Sequence, residues 1–600
     1  MDLSRSSSAR FAATPDLLRC LGEQITSKAV LCQLCLVSKT FNAEFSWFLY
    51  REICVRGVPT EVWKTLRKLQ FSNNPRIQHV RKLCVNIRPG QRYPTRFFVE
   101  RWDSLGSHIE AKMMNKAVQG LLPLMPRLMV FEWINIPLAT ATIRSLADHA
   151  ETIKSIHIQY PPNMEQNVLR ILDPADRNNV AWSPEHAGVD DLRTSDDMIY
   201  ENRLLYRLQD LSQFRHLHHL TLENLYDDLG SWNLQITKLL ANSPNLQTLA
   251  LSISPSYPCR PDYFIQERAI DYIGFFNRLC ENYANTASPP LRLSRLSFSL
   301  GISPESVTDL LQLTDLAYLN NVHIHNDGPL LTPLGSLRPE NDDRGHSSII
   351  PFEAFGPDHC PNLRQFSAKY YIYKIGSFLK KAAALDRSFT RHLAVFFHKE
   401  CFPFCKSDLF DPGMGNDDYE DYAAGSPSLP MQFRMLDIDF HMQNTMKREL
   451  TNLVAHTAAT IEGLYIDMLS CQHEQGNPDF SSDPLGDLVD TLGMLPRLSQ
   501  LAVGRDIRGF LYGTESEISL VPEDFVGLAM RFAAAAPRLR YISVGSLFCE
   551  VKRSRDGRIE LDELEEDEAS GIEIFNHAAV QKDRACGARY TVDRGRFYRY

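Results

Sequence analysis

His392, His398, Cys401 and Cys405 lie within fourteen residues of each other, and they are ligand types that zinc prefers. Their order, His-x5-His-x2-Cys-x3-Cys, fits no common finger, and Phe396, Phe397, Phe402 and Phe404 among them read as core. Cys32 and Cys35 form a Cys-x-x-Cys pair. No second pair is near enough to complete a metal site, and no strand precedes it as a redox motif requires. At i and i+3 on an apolar helix they read as two buried thiols. His216, His218 and His219 flank a strand and read as surface or satisfied core groups. Gly-x-x-x-x-Gly-Lys-Ser/Thr, Gly-x-Ser-x-Gly and His-Glu-x-x-His are all missing. The expectation is a chain with no catalytic residues, no metal and no cofactor, hence not an enzyme.

The elements that would position any site fall into two kinds. Near the start, Thr14-Pro15-Asp16 gives a cap, a first-turn proline and an acid at the positive end of a helix dipole. Leu17, Leu18, Leu21 and Ile25 come next at helical spacing. A second helix carries Val30, Leu31, Leu34 and Val37, and Ser38 caps a third with Phe41, Phe45, Phe48 and Leu49. Helices of about ten residues do not persist alone. They must pack on each other, and so much apolar surface on so short a segment predicts a docking module. The other reading is a helical cap on the long array C-terminal to it.

The rest of the chain repeats one pattern: apolar, two variable, apolar, one variable, apolar. It occurs at Val80/Leu83/Val85, Leu128/Phe131/Trp133, Ile153/Ile156/Ile158, Leu217/Leu220/Leu222, Leu246/Leu249/Leu251 and Leu293/Leu296/Phe298. It continues at Leu319/Val322/Ile324, Leu363/Phe366/Ala368, Phe433/Leu436/Ile438, Ile461/Leu464/Ile466, Leu498/Leu501/Val503 and Leu539/Ile542/Val544. Several copies come just after a proline (Pro126, Pro244, Pro361, Pro496, Pro537), which ends a helix and hands the chain to a strand. Some copies start 25 to 29 residues apart, others near twice that, and the remaining gaps fit neither value and would need insertions or unseen copies. Helical patterns such as Ile236–Leu240 and Phe525–Met530 lie between copies. One strand and one helix per unit, stacked sideways, would make a solenoid.

These residues carry two resemblances. Thr14-Pro15-Asp16-Leu17-Leu18, then Leu31-Cys32-Gln33-Leu34-Cys35-Leu36-Val37-Ser38-Lys39-Thr40-Phe41, then Leu49-Tyr50-Arg51, resembles an F-box. Thr14 stands where that family prefers Leu, and Phe41 where it commonly has Trp. The array resembles the divergent leucine-rich repeats found behind F-boxes, including many fungal chains, although the usual Asn after the strand is mostly missing. The resemblance implies an α/β chain: a three-helix F-box-like module, then an irregular leucine-rich-repeat solenoid of parallel strands alternating with helices. It also implies a Skp-type adaptor and a cullin–RING ubiquitin ligase as partners, with Pro15, Leu18, Leu21, Leu31, Leu34, Val37 and Phe41 at or supporting the adaptor interface. A protein-interaction scaffold without ligase attachment is the alternative.

The expected organisation is an N-terminal tail (1–13), the helical module (14–56), the array (57–548) and an acidic loop with a capping segment (549–600). Polar insertions are expected near 172–194, 328–361 and 411–427. Glu560 to Glu568 reads as a solvated charge run. The basic and tyrosine-rich end, Cys586 to Tyr600, reads as a capping strand rather than a nucleic-acid arm. A net charge of −9 argues against nucleic acid as a partner. No run of about 18 apolar residues argues for a membrane span, and the start lacks the apolar core of a secretory signal. The odd count of 13 cysteines in no recurring spacing fits reduced thiols, hence cytoplasm or nucleus. Strand positions between the inward ones would form a recognition face. Asp437, Asp439, Tyr465 and Asp467 would cluster there for a basic peptide of a protein substrate, and His323, His325, Ser367 and Lys369 lie on earlier strands.

Overall fold

The computed structural model describes residues 14–25, 28–71, 74–87, 105–160, 211–225, 229–253, 275–299, 306–325, 352–369, 381–398, 432–441, 454, 457–469, 484–504, 522–545, 547–564, 569 and 571–576. The chain is a mixed α/β protein built on mostly parallel, open sheet, and it divides into two units. The expected insertions at 172–194 and 411–427, and the end from Cys586 to Tyr600, lie outside the described residues.

The first unit comprises residues 1–315 and 327–350. It opens with α1 (Pro15–Gln24), α2 (Lys28–Val37) and α3 (Lys39–Leu49). After them come the strands β1 (Glu52–Gly57), β2 (Lys82–Ile87), β3 (Val130–Ile134), β4 (Ser155–Gln159), β5 (His219–Leu225), β6 (Thr248–Ile253) and β7 (Arg295–Ser299). Each pairs parallel with the next. The connections carry α4 (Pro59–Phe71), α5 (Leu105–Leu121), α6 (Thr140–Ala147), α7 (Leu229–Asn242), α8 (Phe275–Ala284) and α9 (Val307–Leu313).

The second unit comprises 316–326 and 351–600. In it β8 (Asn321–His325), β9 (Gln365–Lys369), β10 (Ala394–His398), β11 (Met435–His441), β12 (Gly463–Leu469), β13 (Gln500–Val503) and β14 (Tyr541–Val544) run parallel in sequence order. Two antiparallel strands, β15 (Leu547–Arg553) and β16 (Ile559–Glu563), complete the sheet. Its helices include α10 (Arg387–Arg391), α11 (Pro484–Gly493) and α12 (Pro522–Ala535).

Each of the twelve patterned copies lies on a strand, β2 to β9 and β11 to β14. The reason is a repeated local turn. The residue before each proline accepts a hydrogen bond from the first apolar residue: Leu128 to Met125, Leu246 to Ser243, Leu363 to Cys360, Leu498 to Leu495 and Leu539 to Ala536. The next two apolar residues then point to the core, because strand side chains alternate. One carbonyl per strand start takes two successive N–H groups of the next strand, as Arg81 takes Met129 and Val130 and Glu462 takes Ser499 and Gln500. That fixes the parallel register. Two asparagines take positive φ, Asn135 just after β3 and Asn224 at the register shift inside β5. Asn135 (φ 60°) and Asn224 (φ 57°) donate their side-chain amides to the carbonyls of Ile87 and Tyr160.

Two strands escaped the pattern for a legible reason. By register, Tyr50 stands at the opening position ahead of β1 and His392 at that ahead of β10, so both copies open on a ring that carries a polar group. β1 begins within 14–56 and pairs with β2, so the sheet starts inside the stretch expected to be a helical module. The acidic run from Glu560 is not all loop: its first part is the edge strand β16, where Glu560, Asp562 and Glu563 stay exposed and Lys552 pairs with Asp562 at 2.5 Å. The end of the 328–361 stretch is a short 3₁₀ turn, Phe352–Phe355, with Ala354, Phe355 and Cys360 buried.

Candidate functional site

The N-terminal helices form a small core of their own. Leu18 of α1, Leu31 and Cys35 of α2, and Phe45 and Phe48 of α3 are buried together, with Ile25, Leu34, Phe41, Trp47 and Leu49 packed at the margin. Gly22 lets α1 approach α3, since a Cβ there would overlap the Phe48 ring. Pro15 takes the first helical turn with Asp16, and the Thr14 carbonyl accepts from the Leu18 N–H while the Thr14 side chain makes no cap hydrogen bond. Ser38 Oγ accepts from the Phe41 N–H at 3.2 Å and caps α3 as expected. Arg19 Nε donates to Glu44 at 2.8 Å, tying α1 to α3. Asn42 Nδ2 donates to the Cys35 carbonyl at 3.1 Å, its Oδ1 accepts from Arg76, and Arg81 stacks over Trp47 at 5.2 Å. The helices are thereby anchored to the chain entering β2.

This core does not use all the apolar side chains available. Leu17, Leu21, Val30, Leu36 and Val37 stay exposed, at 47%, 36%, 41%, 85% and 65%. A helix as apolar as α2 ordinarily sits inside a protein. Here Leu31 and Cys35 face in at i, i+4 spacing while Val30, Leu36 and Val37 face solvent. Chemically such a face can do one thing, which is to bury against a partner, with each side chain contributing roughly 1.5–3 kcal/mol when fully covered.

The seven residues expected at the adaptor interface divide three ways. Pro15, Leu21 and Val37 are exposed, Leu34 and Phe41 are half-buried, and Leu18 and Leu31 are core that supports the face without forming it. The expected set omits Leu17, Val30 and Leu36. Helical period places these three outside only once the structure has assigned Leu18, Leu31 and Cys35 inward. Of the Cys-x-x-Cys pair only Cys35 is buried, with burial raising its thiol pKa, while Cys32 is exposed. The two thiols are 100° per residue apart over three positions, enough to put one at the rim.

The recognition face expected in the second unit is partly occupied. Register places Asp437 beside Tyr465 and Asp439 beside Asp467, as their spacing implied. Tyr465, however, is only 3% exposed. It lies in a cluster with Ala394, Met435, Ala502 and Phe548 that is covered by Ala569, Ile572, Ile574 and Phe575. The 3₁₀ turn Glu573–Asn576 crosses this part of the sheet. Arg434 Nη1 donates to Glu573 Oε2 at 2.8 Å and Nη2 to Oε1, Gln500 Oε1 accepts the Ile574 N–H at 3.0 Å, and Phe575 meets Phe548 edge-on at 5.1 Å. Tyr465 is therefore a packing residue and is withdrawn as an open contact. The chain's own tail covers the place assigned to a guest. Among the earlier positions His323 pairs in register with Ser367, which is buried, and Lys369 with His398.

His392 ends α10 and His398 ends β10, while Cys401 and Cys405 lie outside the described residues. Among the described residues no group of three or more side chains could hold a metal ion, and no helix is long and apolar enough to cross a membrane. His216 pairs with Glu151 at 3.0 Å and His219 Nδ1 lies 3.0 Å from Thr248 Oγ1, both at the surface. The chain matches no protein-family model, and no curated protein sequence is similar enough to it to count as a relative.

Proposed function

We propose that this chain is the substrate-recognition subunit of a Skp–cullin–F-box type ubiquitin ligase, acting in cytoplasm or nucleus. In that role it makes and breaks no bonds in its substrate. Its mechanism is effective concentration: one end holds the ligase adaptor and the repeat surface holds a protein substrate, so the two meet as if tethered. The sheet-bearing part is then a leucine-rich-repeat solenoid of divergent kind. The observation that carries the reading is the set of exposed apolar side chains, Leu17 and Leu21 on α1 and Val30, Leu36 and Val37 on α2, on helices that with α3 already have a finished core. The motif resemblance names the partner that would cover that set.

The test is binding of the full chain to a purified Skp-type adaptor. Leu36→Asp and Val37→Asp, at the two most exposed positions, should each lower affinity by roughly ten- to a hundredfold, with the thermal transition unchanged. A wild-type chain that fails to bind the adaptor refutes the proposal and leaves a scaffold without ligase attachment.

A further inference from the structure

The face of the first sheet opposite its core carries an ordered row of reactive side chains. Ile53 and Val55 of β1 are in register with Leu83 and Val85 of β2, and the intervening Cys54 is the register partner of Cys84. The row continues through Glu132 on β3 and His157 on β4. Register partners in a sheet point the same way. Neighbouring strands lie about 4.8 Å apart, within the roughly 4.4–6.8 Å between Cα atoms that a disulfide spans. Cys54 is exposed, Cys84 is buried, and neither is in a disulfide. The single proton of the Cys84 thiol has two acceptors within reach, the Cys54 sulfur and the Glu132 carboxylate, which Lys82 holds at 2.8 Å. Arg56, two residues beyond Cys54 on the same strand, adds a hydrogen bond and a positive charge to that sulfur.

From this juxtaposition we propose that Cys54 and Cys84 are a redox-active dithiol, with Cys54 the peroxide-reactive thiol and Cys84 its resolving partner. The Cys54 thiolate attacks one oxygen of a hydroperoxide. The O–O bond breaks, the second oxygen leaves as hydroxide and takes up a proton, and Cys54 becomes a sulfenic acid. Cys84 then attacks the Cys54 sulfur as its proton passes to Glu132. The S–O bond breaks, and the hydroxide released takes that proton to leave as water. Two thiols and one hydrogen peroxide thus give one disulfide and two waters. The hydrogen bond from Cys84, with the help of Arg56, outweighs burial and holds the Cys54 thiol below the ordinary cysteine range, which favours its thiolate. The nearby pull on the Cys84 proton is the opposite: its hydrogen bond to Cys54 and its burial raise it, which keeps the resolving group protonated until Cys54 has been oxidised. A cross-strand bond of this kind would clamp β1 to β2, and a thiol reductant would reverse it.

The test uses the full chain, reduced with dithiothreitol, desalted, treated with graded hydrogen peroxide, then alkylated and mapped by peptide mass. A Cys54–Cys84 cross-link two hydrogens lighter than the dithiol, formed before the exposed Cys20 and Cys32 are consumed and lost again with dithiothreitol, is expected. In Cys84→Ser, dimedone should trap Cys54 as sulfenic acid. On the wild-type chain the rate of Cys54 alkylation should rise with a midpoint well below the value of about 8.5 for an ordinary cysteine. Recovery of both thiols unoxidised once Cys20 has reacted, or a Cys54 midpoint near 8.5, overturns the proposal without reference to any variant.

Discussion

Phe575→Ala isolates what the C-terminal turn does to the sheet beneath it. Phe575 is fully buried and meets Phe548 edge-on at 5.1 Å. Removing a buried Phe side chain costs about 3–5 kcal/mol, and the lost aromatic contact accounts for roughly 1 of those. The bidentate Arg434–Glu573 pair and the Gln500–Ile574 hydrogen bond remain, so the turn still has a docked state, but one weakened by about 4 kcal/mol. In a local opening, that is roughly a thousandfold rise in the open population. Amide hydrogen exchange reads it directly. The Ile574 N–H, held by Gln500 Oε1, should exchange about a thousand times faster, while Ile542 within β14 changes far less. Tyr465 should at the same time become reactive to nitration, because the residues that cover it have lifted. Less than a tenfold change at Ile574 would show that the turn is not held by the packing described. An equal loss of protection at Ile542 would show that turn and sheet open together, so that the tail is core and no separable cover.

Other named contacts set three further outcomes. Asn115 of α5 is buried, donates to the carbonyls of Ala111 and Pro137 at 2.8 and 2.9 Å and accepts from the Ala139 N–H and Thr142 hydroxyl at 2.8 and 2.7 Å. Asn115→Ala strands these partners, so calorimetry should show a loss of about 3 kcal/mol, or on the order of 6–12 °C. Gly22→Ala gains up to about 1 kcal/mol of helix propensity but forces the buried Phe48 ring aside at a cost of about 1–3 kcal/mol. Its denaturation midpoint should fall, and a rise would disprove the close approach of α1 to α3. Burial alone would raise the Glu132 carboxyl, but the hydrogen bond and charge of Lys82, with Cys84 and His157, outweigh it and hold the group below its ordinary range. The stability this contributes is complete above the unfolded value of about 4.3 and disappears as pH falls through the lower folded value. Glu132→Gln should therefore flatten the acid limb of a urea-midpoint profile between pH 3 and 6, and an unchanged limb would refute the linkage.

The sequence alone determined the strands, because the signal that makes each one is local. A proline turn, then apolar residues at positions one, four and six, is contained in a dozen residues, and the hydrogen bond closing each turn spans only three. The same locality made the three short helices legible. Where the local signal was broken, as by Tyr50 before β1 and His392 before β10, the strand still formed through its neighbours' register and was read only from the structure. Tertiary structure alone decided which apolar residues face solvent. The helix α2 is apolar on every side, so period could not separate Leu31, which is core, from Leu36, which is exposed, until α1 and α3 took their places. It alone also decided the fate of the expected recognition face. Arg434 and Glu573 are 139 residues apart, and no spacing in the chain announces that the second returns to cover Tyr465 beside the first. Contacts of that separation carry no periodic trace, because they are chosen by the shape of surfaces that exist only after the strands have stacked.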